Sequence, residues 1–188
     1  MREAAVIIRF MPETGLSELH NRLRVREAAL DRLLDCFHDL SDPRRTFQNI
    51  LEIVVEAIPA DASSLFLVTG EDGTLTAVAA TGPVANKVRG MKLGPGIGMP
   101  GVVARDRRCV AVSDVKKEPN YSPERHEIAG YETTSLLAAP VLYKGDLNGV
   151  LEVLNRRESP EWKRHEIELL ERIARGVGSI VNLIGERQ

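Results

Sequence analysis

Residues 136–155, LLAAPVLYKGDLNGVLEVLN, constrain the fold more than any other stretch. Two apolar runs flank a Lys144-Gly145-Asp146 turn, and both alternate sets of positions are largely apolar. A hairpin buried on both faces follows, which places it in the middle of a sheet. Two residues break the pattern. Pro140 has no N–H for a ladder, so its strand needs a bulge or a free edge there. Glu152 lies between Leu151 and Val153, and an unpartnered interior carboxylate costs several kcal/mol or changes its protonation state. Either one face is open at Glu152 or something pairs with it.

Around this hairpin the chain divides by pattern. Residues 1–15 read as an N-terminal arm, and 16–188 as a single domain. Leu16, Leu23, Leu30 and Phe37 share one heptad position and Leu19, Leu33 and Leu40 another, so 16–40 is expected to be a helix with a narrow seam suited to a partner helix. Asp42-Pro43 caps a second helix with the stripe Phe47, Ile50, Leu51, Val54, Ile58. Ser63–Thr69 and Leu75–Ala80 flank a Gly70-Glu71-Asp72-Gly73 loop and read as a β-hairpin. Short strands are expected at Val88–Leu93 and Cys109–Ser113. Ser159-Pro160 marks the start of a C-terminal helix over 160–185. Strands joined by hairpins, with helices gathered at both chain ends, predict an α+β fold with an antiparallel sheet of five to six strands. The terminal helices take one face. The excursions 94–108 and 114–132 must roof the other, an arrangement that makes a pocket.

Bulk properties exclude several function classes. A net charge of −2 gives no pull toward nucleic acid or anionic membrane. The two cysteines, Cys36 and Cys109, make no disulfide framework or metal spacing, which suits a cytoplasmic protein. No metal site is expected, since His126-Glu127 and His165-Glu166 lack a second histidine at the required spacing. No signal peptide or membrane span is expected either. Gly96-Ile97-Gly98-Met99-Pro100-Gly101 matches G-x-G-x-x-G. A dinucleotide fold needs a crossover of at least about ten residues to a parallel strand, and the following segment is shorter, so a glycine turn capping a short helix is expected. Arg105, Arg107, Arg108, Lys116 and Lys117 form either a solvated loop or a basic pocket rim.

The blocks LGPGIGMPGVVARDRRCVAVSDVKKEPNYS and PVLYKGDLNGVLEVLN, with ADASSLFLV upstream, resemble the GAF domain over about residues 25–185. The resemblance is to the cyclic-nucleotide phosphodiesterase and adenylyl cyclase flavour of that family. It implies a non-catalytic sensing module that homodimerises through its N- and C-terminal helices and binds a small molecule, with a cyclic nucleotide as one candidate and no certain cofactor. It implies ligand-binding roles for Ser64, Ile97, Gly98, Tyr121, Thr133 and Glu152, with Asp114 at the pocket mouth. The nucleotide-binding relatives' N-K…F-x-x-x-D-E signature is represented by Asn155, Arg156, Trp162 and Glu166, with Ile167 departing from it. Two alternatives stay open: a dimerisation scaffold whose pocket its own side chains fill, and a GAF-fold free methionine sulfoxide reductase.

Overall fold

A computed structural model describes residues 13–119 and 131–186. The expected arm up to residue 12, and Tyr121 with the rest of 120–130, lie outside the described residues. Helix α1 spans Glu13–Asp35, so it begins inside the expected arm and stops short of Leu40. Helix α2, Pro43–Ala57, starts where Asp42-Pro43 indicates: the Asp42 carboxylate accepts the Arg45 N–H at 3.1 Å, and proline takes the first turn. Asp42→Ala removes that acceptor. A loss of about 1 kcal/mol is expected, readable as a lower urea midpoint with an unchanged slope.

Strands β1 (Ala60–Val68) and β2 (Leu75–Thr81) form the first hairpin. A four-residue helix α3 (Ala85–Val88) and the two-residue strand β3 (Lys92–Leu93) follow. The strand expected from Val88 is therefore shorter, its first part taken by the end of α3 and a turn. Helix α4 (Gly98–Asp106) leads to β4 (Val110–Val112) and a 3-10 turn at Val115–Lys117. The central hairpin is β5 (Leu136–Tyr143) and β6 (Asp146–Arg156), closed by Lys144 and Gly145, both at positive φ as a tight hairpin of this length requires. Helix α5 (Arg164–Gly185) ends the described chain.

The six strands run β3-β2-β1-β6-β5-β4, and every recorded pairing is antiparallel. With no parallel pairing among the described strands, the dinucleotide reading of the glycine motif falls. β4 pairs only with Leu136–Ala138, so Pro140 lies past its end, and a register shift follows at Val141/Leu142. The proline thus has both the free edge and the neighbouring bulge that its missing N–H calls for.

Alternation along the strands separates two cores. Leu65, Leu137, Ala139, Leu151 and Val153 face α2 and α5, meeting Ile50, Val54, Leu170, Ile173 and Val177. Phe66, Ala77, Leu136, Ala138 and Val150 face the other way, toward Met99 and Val103 of α4. Helix α5 does not start at Ser159: its N-cap is Lys163, and the Ser159 hydroxyl instead accepts from the Glu161 N–H at 3.2 Å. The buried Trp162 indole reaches back to donate to the Val112 carbonyl at 3.1 Å, a tertiary contact that holds the chain out of helix until Arg164.

Candidate ligand pocket

The two halves of the pocket come from opposite chain regions. On the floor, the β1–β6 ladder sets Ser64 opposite Glu152, and the β5–β6 ladder sets Ala138 on its other side. Period-two alternation turns Glu152 away from the helices, with Val150 and Leu154 on the same side. Ser64 Oγ donates to Glu152 Oε1 at 2.6 Å. Ser63 Oγ donates to the Glu152 carbonyl at 2.8 Å, which ties the two strands together at this level. Glu152 is only 6% exposed. Burial pushes its carboxyl up to about 7, against the opposing pull of the Ser64 hydrogen bond.

The roof comes from the glycine turn and the segment before β5. Gly98 has φ +67, which favours glycine, and a Cβ on Gly101 would lie 2.7 Å from the Gly96 backbone. The G-x-G-x-x-G spacing therefore folds the turn onto the first turn of α4 and brings Ile97, Gly98 and Pro100 over the sheet. On the other side, Asn155 (φ +56) is the last residue but one of β6. Its Oδ1 accepts from the Thr134 N–H at 2.7 Å and its Nδ2 donates to the Glu132 carbonyl at 2.8 Å. This clasp fixes 131–135 and with it Tyr131 and Thr133. Between floor and roof lies a hollow of about 70 Å³, lined by Ser64, Phe66, Ile97, Gly98, Tyr131, Thr133, Leu136 and Glu152 among others.

Five residues singled out from the sequence, Ser64, Ile97, Gly98, Thr133 and Glu152, thus line one hollow. Asp114 does not. It caps the 3-10 turn by accepting from the Lys116 N–H and pairs with Lys117 at 3.0 Å, which holds its carboxyl below the usual range. Of the basic cluster, Arg105, Lys116 and Lys117 make exposed ion pairs with Asp106, Glu132 and Asp114, the solvated alternative. Sequence reasoning missed Tyr131. Its hydroxyl is buried, meets no partner in hydrogen-bond geometry among the described residues, and is pushed up to about 12 by burial, with Asp61 adding to the rise and the Asn155 side chain opposing it. The only signal was an aromatic residue at the end of a polar excursion. The signature residues act beside the hollow: Arg156 Nε donates to both oxygens of Glu166 at 3.0 and 2.9 Å.

The raised Glu152 group makes a pH prediction with a definite sign. The folded state holds this proton up to about pH 7, while the unfolded chain releases it near 4.5. Between those values the native state binds more protons, so stability falls as pH rises through that window and levels off above it. Glu152→Gln is expected to remove this slope and to raise the melting temperature at pH 8 more than at pH 5.

Cys36 and Cys109, the only cysteines in the chain, pack against the helix-side core on the opposite face of the sheet. Burial pushes both thiols up, Cys109 to about 12. Among the described residues no group of three or more His, Cys, Asp or Glu could hold a metal. No described helix is long and apolar enough to cross a membrane.

This architecture has relatives. The cone cGMP-specific 3',5'-cyclic phosphodiesterase subunit alpha' of Mus musculus is 27% identical over 169 residues, 84% of this chain and 20% of that protein. A cGMP-specific 3',5'-cyclic phosphodiesterase of Drosophila melanogaster is 29% identical over 79 residues, 41% of this chain and 7% of that protein. The chain therefore spans a fifth or less of these two relatives. Among solved structures, the GAF domain of a Coxiella burnetii phosphoenolpyruvate-protein phosphotransferase superposes with a TM-score of 0.73 at 20% identity, covering 86% of this chain and 97% of that one. The free methionine-R-sulfoxide reductase of Neisseria meningitidis, in complex with its substrate, gives 0.74 at 17% identity, covering 89% and 94%. Residues 42–181 match the GAF domain, and the chain belongs to that family, whose members are mostly non-catalytic regulatory domains.

Proposed function

We propose that this chain is a non-catalytic sensing module. It holds a small molecule between the sheet and its roof, and passes the change to α1 and α5 in a homodimer. The observation that carries this reading is Glu152, a carboxylate placed at the bottom of a hollow by the middle strand of the sheet, with its second oxygen accepting no hydrogen bond among the described residues. β6 supplies the route outward. Four residues after Glu152, Arg156 pairs with Glu166 in the first turn of α5, so a shift of the strand reaches the helix through a single ion pair.

Thiol chemistry of the reductase kind needs cysteine at the pocket, and both cysteines lie across the sheet. The phosphodiesterase likeness favours a cyclic nucleotide as one candidate ligand. Native mass spectrometry of protein purified without added nucleotide tests the sensor reading. A bound small molecule at one per chain supports it. A ligand-free protein, with the hollow closed by its own side chains in an experimental structure, leaves the scaffold.

The dimer reading rests on α1. Leu33 packs into the domain against Gly176, whereas Leu19 and Leu23 are 40% and 53% exposed at the expected seam positions. Leu19→Glu with Leu23→Glu in the full chain should convert a dimer to a monomer by light scattering. A native chain that is already monomeric at high concentration rejects the homodimer.

A further inference from the structure

We propose that the ligand of this hollow is a small, flat organic cation with at least two N–H donors, an amidinium or guanidinium held between Glu152 and Tyr131; this deepens, and rests on, the reading of the hollow as a ligand site. Charge comes first. No Lys, Arg or His stands among the described lining residues, and the ionisable side chains there are Glu152 and Tyr131. An anion would meet a carboxylate with no described cation to offset it. A cation would supply the partner that a buried carboxylate lacks.

Hydrogen bonding points the same way. Ser64 occupies Glu152 Oε1, while Oε2 accepts no hydrogen bond among the described residues. The buried Tyr131 hydroxyl likewise meets no partner in hydrogen-bond geometry among them, with the Asn155 side chain near enough to oppose the rise that burial causes. Buried polar atoms are normally satisfied, and a phenolic oxygen can accept from an N–H. One donor of the ligand goes to Glu152 and another to Tyr131. The remaining wall is apolar, with Phe66, Leu136 and Leu154, and suits the faces of a delocalised cation, which gives up water more readily than a compact ammonium.

Size narrows the class further. A water claims about 30 Å³ in the liquid, so about 70 Å³ suits a molecule of only a few heavy atoms. Drug-sized ligands occupy pockets of about 300 Å³ or more. A whole cyclic nucleotide exceeds this volume and fits only with the roof displaced, and its phosphate meets no cation among the described lining residues.

Binding is also linked to pH. Glu152 must ionise to receive the cation, and the groups set around it are Ser64 from β1, Ala138 from β5 and Tyr131 from the segment before β5, so among the described residues no second carboxylate or base contributes. With its carboxyl at about 7 in the empty pocket, the ionised fraction, and hence the affinity for a ligand charged throughout, rises about tenfold from pH 6 to pH 8.

The test uses the full chain with methyl-labelled methionines, because Met91 lines the hollow. Acetamidinium and methylguanidinium are titrated at pH 6 and 8, with acetamide, cyclic GMP and phosphate as comparison probes. Saturable shifts of the Met91 methyl are expected with either cation at pH 8, about tenfold weaker binding at pH 6, and a loss of tenfold or more in Glu152→Gln. Tyr131→Phe should weaken binding less, and circular dichroism checks that both variants are folded. Failure of both cations to saturate at pH 8, or equal affinity in a folded Glu152→Gln protein, overturns the proposal. If acetamide or cyclic GMP saturates Met91 while the cations do not, the ligand class is wrong and the sensing site survives. If no probe moves Met91 and nothing co-purifies, both fall.

Discussion

Glu166→Ala is expected to destabilise the fold by about 3–5 kcal/mol, measured by equilibrium urea unfolding. The side chains of Arg156 and Glu166 are 1% and 4% exposed. Arg156 Nε bridges both carboxylate oxygens, its Nη1 donates to the Ser159 carbonyl at 3.2 Å, and its Nη2 reaches Glu158 at 3.3 Å. Removing Glu166 leaves a guanidinium in the interior without its main counter-charge. The substitution also strips the Lys163 N–H of the carboxylate that caps α5 at 2.8 Å. Replacing both partners with apolar residues, Arg156→Met with Glu166→Leu, should recover much of the loss, because desolvating the pair offsets most of its attraction. A double variant as unstable as Glu166→Ala would show that the pair contributes net stability. Recovery of stability with loss of ligand response would place the pair in the route from β6 to α5.

The second large effect is expected at Gly178. A Cβ there would stand 2.2 Å from the Leu142 carbonyl oxygen, where α5 crosses the end of β5, and Asn148 Nδ2 donates to the Gly178 carbonyl at 3.2 Å from the same corner. Backbone cannot step aside as a side chain can, so Gly178→Ala must lift the helix from the sheet. A loss of about 3 kcal/mol is expected, at the top of the usual range for overpacking. Gly176 is the control two residues earlier. A Cβ there meets the end of the flexible Leu33 side chain at 2.6 Å, and the gain of about 1 kcal/mol in helix propensity opposes the crowding. Gly176→Ala should stay within about 1 kcal/mol of the parent. Equal effects at the two positions would mean that helix propensity, and not the crossing, governs this face.

Much of the architecture could be read before any coordinates. The central hairpin, the α2 cap at Asp42 and the helix-side stripe are local or periodic signals, and such signals survive folding because they need only neighbours in the chain. Glu152 stood out for a related reason: one carboxylate in an alternating apolar run must face something other than oil. Misreadings came where a distant group decided a local outcome. Ser159-Pro160 has the chemistry of a helix start, yet Trp162 is drawn to β4 and the helix waits for Lys163. Asp114, expected at the pocket mouth, is a different case: its carboxylate pairs with Lys117 and caps the 3-10 turn. Tyr131 carried no pattern at all, since a single aromatic residue in a polar segment says nothing about where its hydroxyl ends up.

Residue order alone determined the elements, the burial of both faces of the β5–β6 hairpin and the presence of an acidic residue needing an answer, because strand period, caps and turns are set within a few residues. Only the tertiary structure decided which groups answer it. Ser64 comes from 88 residues upstream, Tyr131 is held by the Asn155 clasp around its neighbours, and the glycine turn descends from above. Strand register, which no local interaction specifies, is what brings them to one carboxylate.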